Sequence, residues 1–428
     1  MKAVILAAGE GVRLQPITST RPKHLIKLCG KPLLEHCLNA LKTAGINEAL
    51  IIVHYMQDAI RRYFGDGEKF GLKIEYREQR GVLGTGNAIS LADSYVNDDF
   101  LVVYGDLLFT AEAVKNVIDS HLMEKPAATM AVIPVEKPED YGIVELKDEK
   151  YVMHIIEKPM REAAPSKLAN AGIYIFSTEI FEKIGKIKAS IRGEWEITDA
   201  ISLLAGEKNV LSVKISKDDW MDIGKPWDLL EANRWMLAKV EHKVNGLVES
   251  GAHLIGPVAI AETARIRSGA YIEGPTFIDD ESDIGPNCYL RPYTCIGRRV
   301  RIGNACEIKN SLIMDNTHIG HLSYVGDSVI GENCNLGAGT ITANYRFDAG
   351  TIKMSVKDKI VNSGRTKLGV VLGDNVKTGI NALFMPGIKV GANSWVGPNV
   401  VVYRDVPANT MLLLRQNLEE KTFSDETH

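Results

Sequence analysis

Glycine, arginine and lysine crowd one short stretch near the start of the chain: residues 6–25 read LAAGEGVRLQPITSTRPKHL. A short apolar strand runs into Gly9 and Gly11, then Arg13, then Lys23 behind Pro22. Backbone N–H groups bared by glycine can wrap a polyphosphate, and Arg13 and Lys23 supply the opposing charge. The stretch lacks GKS or GKT, so it is no P-loop. Its Gly-x-Gly-x-Arg spacing is not the dinucleotide fingerprint either. Two glycines alone would read as a surface turn; two cations following the first strand point to phosphate chemistry.

The elements that must hold these residues come in two grammars. Over roughly the first 230 residues, strand-like and helix-like segments alternate, the pattern of a Rossmann-like α/β domain with a mostly parallel sheet. Strands are expected at 2–6, 49–53, 100–104 and 171–176, and a helix at 32–44 that Gly45 stops. A second helix at 226–240 would lead out of the domain. From Leu254 the pattern changes: Leu254, Ile260, Ile266, Ile272, Ile278, Ile284, Leu290, Ile296, Ile302 and Ile308 recur at intervals of six. The series slips by one before Ile313 and again before Ile330, then returns at Leu372 after a polar break. Neither a helix nor plain strand alternation has that period. A hexapeptide repeat does, each unit a short strand and a tight turn stacked over a continuous apolar interior. Glycines that follow the aliphatic residue, such as Gly285, Gly297, Gly303 and Gly331, would serve turns needing positive φ. The break at 343–369 reads as a loop thrown out of the repeat.

These boundaries give a first domain at 1–228, a linker helix at 229–250, the repeat domain at 251–403 and a tail at 404–428, with residues 424–428 expected to be disordered. The bulk numbers agree with a two-domain chain: 428 residues, 45% hydrophobic, 24% charged, net charge −4. Nothing is basic enough for sequence-independent nucleic-acid binding. No signal-peptide pattern and no membrane-length apolar run is visible, and the six cysteines form no CxxC pair. A cytoplasmic chain with reduced thiols is expected.

On Gly9, Gly11, Arg13 and Lys23 the N-terminal half resembles the sugar-1-phosphate nucleotidylyltransferase family. The resemblance implies that these four hold a nucleoside triphosphate, with Arg13 and Lys23 catalytic. It implies base reading by Gln79 and by the Gly84-Thr85-Gly86 turn; a Gln amide can donate and accept together, as a pyrimidine edge requires. Taken alone, residues 83–88 could be a helix start capped by Thr85. The family places Mg²⁺ on aspartates in the contexts of Asp106 and Asp222, and Mg²⁺ favours one or two carboxylates with phosphate oxygens. Gly142, Glu157, Lys158 and Asn170 fall where the sugar phosphate would bind. The implied reaction is in-line attack of a sugar-1-phosphate oxygen on the α-phosphorus of UTP or dTTP, with pyrophosphate leaving.

Hexapeptide sequences resemble the left-handed parallel β-helix family. Residues 319–345, IGHLSYVGDSVIGENCNLGAGTITANY, resemble the acetyltransferase half of the bacterial bifunctional enzymes that make UDP-N-acetylglucosamine. There His321 matches the general base, and Arg291 and Lys309 the grip on the amino-sugar phosphate. Tyr324 and Asn335 match further contacts to that sugar, and Asn344 and Tyr345 match contacts to acetyl-CoA. The chemistry is sound: a His of ordinary pKa can take an amine's proton near neutral pH, and two cations on neighbouring coils make a phosphate pocket. The match departs at Arg346, where the bacterial pattern has Asp, and in a longer loop to Gly369, suggesting an archaeal-type relative. Lys353, Lys357 and Lys359 in that loop could meet coenzyme A phosphates or be a solvated charge run.

The resemblance thus implies acetyl transfer to glucosamine-1-phosphate followed by Mg²⁺-dependent uridylyl transfer, in a homotrimer. The alternative is a single-activity nucleotidylyltransferase whose β-helix serves assembly or regulation. A non-catalytic role, as in subunits of a translation-factor exchange complex, is opposed by intact Gly11, Arg13, Lys23, Asp106 and Asp222.

Overall fold

The computed structural model describes residues 1–81, 83–190 and 193–422; the expected disorder of 424–428 lies outside them. The chain divides into two compact units: Met1–Leu14 with Thr18–Ala232, and Gln15–Ile17 with the residues from Asn233 on.

The first unit is built on β1 (Ala3–Ala7), β2 (Glu48–Val53), β3 (Lys73–Glu78), β4 (Phe100–Tyr104), β5 (Leu107–Phe109), β6 (Ala128–Pro134), β7 (Gly142–Lys147), β8 (Tyr151–Glu157), β9 (Leu168–Phe176), β10 (Val210–Lys214) and β11 (Trp220–Asp222). Nine of these strands form one sheet in the order β3-β2-β1-β4-β9-β6-β10-β8-β7. All five residues of β1 are buried, as befits a central strand covered on both faces. Strands β3, β2, β1 and β4 pair in parallel, but β9 runs antiparallel to both β4 and β6, and β7 and β8 form an antiparallel hairpin. The sheet is therefore mixed rather than mostly parallel. Asp148 and Glu149 explain part of this: both take left-handed φ, so the turn between β7 and β8 is too tight for a parallel crossover.

Two consequences bear on function. Because β1 and β4 are neighbours, the chain leaves both at the same edge of the sheet, and Gly105 N–H bonds to Leu6 O at 2.9 Å. That edge, beyond the carboxyl ends of parallel strands, is where α/β sheets bind ligands. Then β5, which follows β4 at once, pairs antiparallel with β11 so that Leu107 faces Asp222.

The second unit is a three-sided parallel β-helix. Its strands visit three parallel sheets of eight, nine and eight strands in turn. Partners stand one coil apart, His253 opposite Tyr271 and Arg265 opposite Asp283. Where the sequence series slips, Cys295 pairs with Leu312 and Arg301 with His318, one residue short of a full coil. The aliphatic series is the interior: Ile266, Ile272, Ile284, Ile302, Ile308, Ile313, Ile319 and Ile330 are completely buried.

Several expectations are corrected here. The helix leading out covers Asp228–Leu237 only, and the first rung begins at Lys243–Val244, inside the segment read as linker helix. The last rung strand, Met411–Leu412, lies within the expected tail. The break at 343–369 is no bare loop. It contains an antiparallel hairpin, Lys353–Val356 with Lys359–Asn362, closed by Lys357 and Asp358 at positive φ. Ile352, Met354 and Leu368 bury its inner face, and Ser355 donates to Asp405. The repeat glycines also serve another purpose than expected. Gly285 alone of the four named has positive φ; the corners fall instead on residues such as Asn316, Asn333 and Asn393. A Cβ on Gly303 would stand 1.8 Å from Gly320 O, and one on Gly331 2.7 Å from the Gly373 carbonyl carbon. These glycines let one coil sit directly on the next.

Candidate active sites

The loop after β1 carries Gly9, Gly11 and Arg13. Gly11 has φ +66°, and a Cβ there would press on Lys23 Cβ and Thr18 Cγ2, both at 3.1 Å. Lys23 is buried, and its Nζ donates to Asp106 Oδ2 at 2.6 Å. Asp106 ends the turn after β4, and the β5–β11 ribbon brings Asp222 alongside it. Around Gly224, a point for Cβ lies 3.2 Å from Asp222 Oδ2 and 3.3 Å from Arg13 Nη1. The structure thus gathers Gly11, Arg13, Lys23, Asp106 and Asp222 at one sheet edge.

Electrostatics divides the two carboxylates. Burial pushes Asp106 upward, but Lys23 and then His24 outweigh it and hold the carboxyl below its ordinary value. Burial wins at Asp222, with the Asp106 charge adding to it against Lys23 and Arg13, and its carboxyl sits above the ordinary value. Asp228, whose Oδ2 accepts from Gly224 and Lys225 N–H, is pushed up to about 6 by burial and by Asp222. Two half-buried hard-oxygen carboxylates that repel each other suit a divalent cation such as Mg²⁺ sharing phosphate oxygens. Among the described residues no cluster of three or more His, Cys, Asp or Glu could hold a metal unaided.

The segment expected to read the base is held in place by its own side chains. Gln79 is buried, and its Nε2 donates to Gly84 O and to Asn87 Oδ1, both at 3.0 Å. Its donor side is committed to holding the turn. Thr85 Oγ1 accepts from Ile197 N–H at 2.9 Å, so it caps the helix Ile197–Glu207 and not its own. Gly84, at φ +93°, would set a Cβ 2.6 Å from Trp195 O. The turn is clasped by residues 195–197, a role the sequence did not reveal.

On the other side, Gly142 and Glu157 face each other across β7 and β8, and a Cβ on Gly142 would meet Glu157 Oε1 at 3.0 Å. Thr198 Oγ1 donates to the same oxygen at 3.4 Å. Lys158 is exposed, at φ +45°, next to Glu157. A bulge in β9 between Asn170 and Tyr174 turns their side chains together, Asn170 Nδ2 to Tyr174 OH at 2.6 Å. Gly172 N–H fixes Asn170 Oδ1 at 3.0 Å, and Tyr174 OH meets Tyr104 OH at 3.1 Å. Tyr104 and Tyr174 are additions to the sequence reading; Tyr104 lies two residues before Asp106, whereas nothing local flags Tyr174.

In the second unit, Lys309, Tyr324 and Asn344 come together around Asp327. Asn344 Nδ2 donates to Asp327 Oδ2 at 2.6 Å and to Tyr324 OH at 3.1 Å, and Lys309 Nζ lies 3.4 Å from Asp327 Oδ2. Burial, with Asp327 adding to it, keeps the Tyr324 phenol above its ordinary value and so protonated. Arg291 Nη1 donates to Glu307 Oε1 at 2.9 Å, and Glu307 faces Tyr324 in register. His321 is exposed at the end of the strand His318–His321, one corner before Tyr324. Asn335 is not part of this group: it pairs with His318 and Lys377 on a different sheet from Lys309 and Tyr324. Tyr345 is exposed, bridges to Lys367, and lines a cavity of about 680 Å³ with Phe347, Lys353, Met385, Pro386 and Tyr403.

The family described as Nucleotidyl transferase matches residues 2–239, and the GMPPB C-terminal domain matches residues 272–385. The Bifunctional protein GlmU of Methanocaldococcus jannaschii is 46% identical over 98% of both chains. The Bifunctional sugar-1-phosphate nucleotidylyltransferase/acetyltransferase of Sulfurisphaera tokodaii is 45% identical over 95% of this chain and 98% of its own. A UDP-glucose pyrophosphorylase solved with UDP-glucose superposes on 54% of this chain and 96% of its own, with TM-score 0.50 and 26% identity. With that coverage across both halves, the chain belongs to the family of bifunctional sugar-1-phosphate nucleotidylyltransferase/acetyltransferases.

Proposed function

We propose that the β-helix acetylates glucosamine-1-phosphate from acetyl-CoA and that the α/β unit couples the N-acetylated sugar-1-phosphate to UTP, releasing pyrophosphate. The observation that carries the two-activity reading is the convergence of Lys309, Tyr324 and Asn344 on one buried carboxylate. A β-helix needs no such cluster to stack its coils.

In the α/β unit, the Gly9–Gly11 backbone and the charges of Arg13 and Lys23 hold the triphosphate, while Glu157, the bulge-held Asn170 and Lys158 orient the sugar phosphate. Asp106 and Asp222 would hold Mg²⁺, which supplies charge neutralisation on phosphate oxygens. The sugar-phosphate oxygen attacks the α-phosphorus and the bond to the departing pyrophosphate breaks; no protein nucleophile is needed. In the β-helix, Arg291 and Lys309 grip the phosphate of the amino sugar. His321 takes the amine proton as nitrogen attacks the thioester carbonyl, and coenzyme A leaves as its thiolate.

Asn335 stands apart from Tyr324 within one chain, which supports a site completed by a neighbouring copy, hence a homotrimer of left-handed β-helices. Acetyl-CoA would run past Asn344 and Tyr345. No described helix is long and apolar enough to cross a membrane, and the reading is of a cytoplasmic enzyme on small-molecule substrates.

The test omits nucleotide. Purified protein is mixed with acetyl-CoA, glucosamine-1-phosphate and a thiol reagent that detects free coenzyme A. Thiol release that needs the sugar phosphate, and that collapses in His321→Ala while uridylyl transfer persists, is the expected result. No release, with pyrophosphate still formed from UTP and N-acetylglucosamine-1-phosphate, would leave the β-helix without an acetyltransferase role.

A further inference from the structure

Asp327 is a charged residue that neither composition nor motif singles out, and it is almost completely buried in the β-helix, 3% exposed. An isolated carboxylate there would be strongly unfavourable, so its partners define its purpose. Asn310 Nδ2 donates to Oδ1 at 2.6 Å. Oδ2 takes Asn344 Nδ2 at 2.6 Å and faces Lys309 Nζ at 3.4 Å. Its backbone is used as well: Asp327 N–H donates to Lys309 O at 2.9 Å, and Gly369 N–H donates to Asp327 O at 2.8 Å. The residue sits at a corner with φ +49°, which aims the side chain back along the coil. Beside it, Gly326 has no room for a Cβ, which would stand 2.4 Å from Tyr324 OH and 2.7 Å from Asn344 Nδ2.

Two of these partners are the ends of the insertion. Asn344 opens the segment 343–369 and Gly369 closes it, and Leu368 N–H also returns to Asn344 O at 3.0 Å. The other partners, Lys309 and, through Asn344, Tyr324, come from coils of the β-helix itself. We infer that Asp327 is the positioning residue of the acetyl-transfer site: it staples both ends of the insertion to the coil and, in the same contact, aims Lys309, Asn344 and Tyr324 at the substrates. The inference rests on the acetyltransferase reading above. Asp327 itself touches no substrate. Its carboxylate is needed because it accepts on both oxygens at once, from two amides and an ammonium; Asn in its place turns one acceptor into a donor that faces Asn344 or Asn310.

The experiment uses the full chain and compares wild type, Asp327→Asn and Asn310→Ala. Three readings are taken: acetyl transfer with separate KM and kcat for acetyl-CoA and glucosamine-1-phosphate, uridylyl transfer, and hydrogen–deuterium exchange of peptides covering 343–369. For Asp327→Asn, acetyl-transfer kcat/KM should fall roughly 100-fold, the scale of a misplacement of about 1 Å. KM should rise for both acetyl substrates, exchange across 343–369 should accelerate, and uridylyl transfer should hold at the wild-type rate. Asn310→Ala, which frees one oxygen without touching a substrate-facing group, should lose about tenfold in the same direction and covers the case in which Asp327→Asn does not fold. Asp327→Asn or a folded Asn310→Ala that acetylates at wild-type rate would overturn the inference, as would loss of activity with unchanged exchange and unchanged KM. A wild-type chain that acetylates no amino-sugar phosphate would instead bring down the acetyltransferase reading itself.

Discussion

Replacing Lys23 by Met should damage catalysis and improve metal binding at the same time. Lys23 Nζ lies 2.6 Å from Asp106 Oδ2, with Lys23 nearly buried and Asp106 about one-third exposed at 32%. A unit-charge pair at 2.6 Å is worth about 6 kcal/mol of gross attraction at an effective dielectric near 20. Desolvation and the partial exposure of Asp106 return most of that, leaving roughly 1–2 kcal/mol net. A divalent cation arriving at Asp106 must displace this ammonium and then sit beside it. Without Lys23 the competition disappears, so Mg²⁺ should bind Lys23→Met about 5- to 30-fold more tightly, the equilibrium equivalent of that energy. Catalysis should move the other way. A preorganised charge aimed at a transferring phosphoryl group is typically worth ~10²–10³ in kcat. The assay is titration calorimetry of Mg²⁺ without nucleotide, beside a pyrophosphate-release assay, with acetyl transfer on the same preparation as the folding control. Weaker or unchanged Mg²⁺ binding in Lys23→Met would refute the argument that Lys23 and the metal share Asp106.

Gly142→Ala puts a Cβ 3.0 Å from Glu157 Oε1. The exposed Glu157 can swing away cheaply, so the melting temperature should hold while KM for the sugar-1-phosphate rises about tenfold, one charge-assisted hydrogen bond; an unchanged KM would remove Glu157 from the sugar site. Gly84→Ala must fit a Cβ 2.6 Å from Trp195 O at φ +93°, and chemical denaturation should show the α/β unit destabilised by roughly 2–3 kcal/mol while acetyl transfer persists. A near-neutral result would mean the clasp around Gly84 is loose. His24 is buried and held down to about 4, chiefly by desolvation. Its unfolded counterpart binds a proton near pH 6.5, so the folded state loses stability as pH falls from 6.5 toward 4, by about 2 kcal/mol at pH 5. His24→Leu should flatten that slope in melts of the α/β unit between pH 7 and 5, and parallel curves for wild type and variant would contradict it.

What could be read from the sequence follows a physical divide. Asp106 was legible because it sits where a strand ends, and strand ends are marked locally by an apolar run and a glycine; Lys23 was legible because it closes the glycine-led stretch that follows the first strand. The β-helix interior was legible because a period of six leaves the same mark at every coil, from Ile266 to Ile330, and even the one-residue slips reappear as shortened register steps at Cys295–Leu312. Contacts between distant segments leave no such mark. Thr85 reads as a cap for its own helix, and only the fold shows that it caps the helix at Ile197. Gln79 reads as a base reader, and only the fold shows its Nε2 donating to Gly84 and Asn87.

The glycines and Asp327 show the same divide inside the repeat. A glycine after each aliphatic residue looks like a turn requirement, because a single hexad shows only its own backbone. Gly303 is constrained instead by Gly320 on the next coil, a contact that no window of six residues contains. Asp327 is hidden for the same reason: its partners Lys309, Asn310, Asn344 and Gly369 are each at least 17 positions away. In a solenoid the residues that touch a ligand can carry a local signature, since their spacing sets the site. The residues that aim them are defined by stacking, where the next coil supplies the partner. Substituting the exposed His321 should therefore abolish chemistry on an otherwise intact site, whereas substituting Asp327 should leave every chemical group present and misaligned.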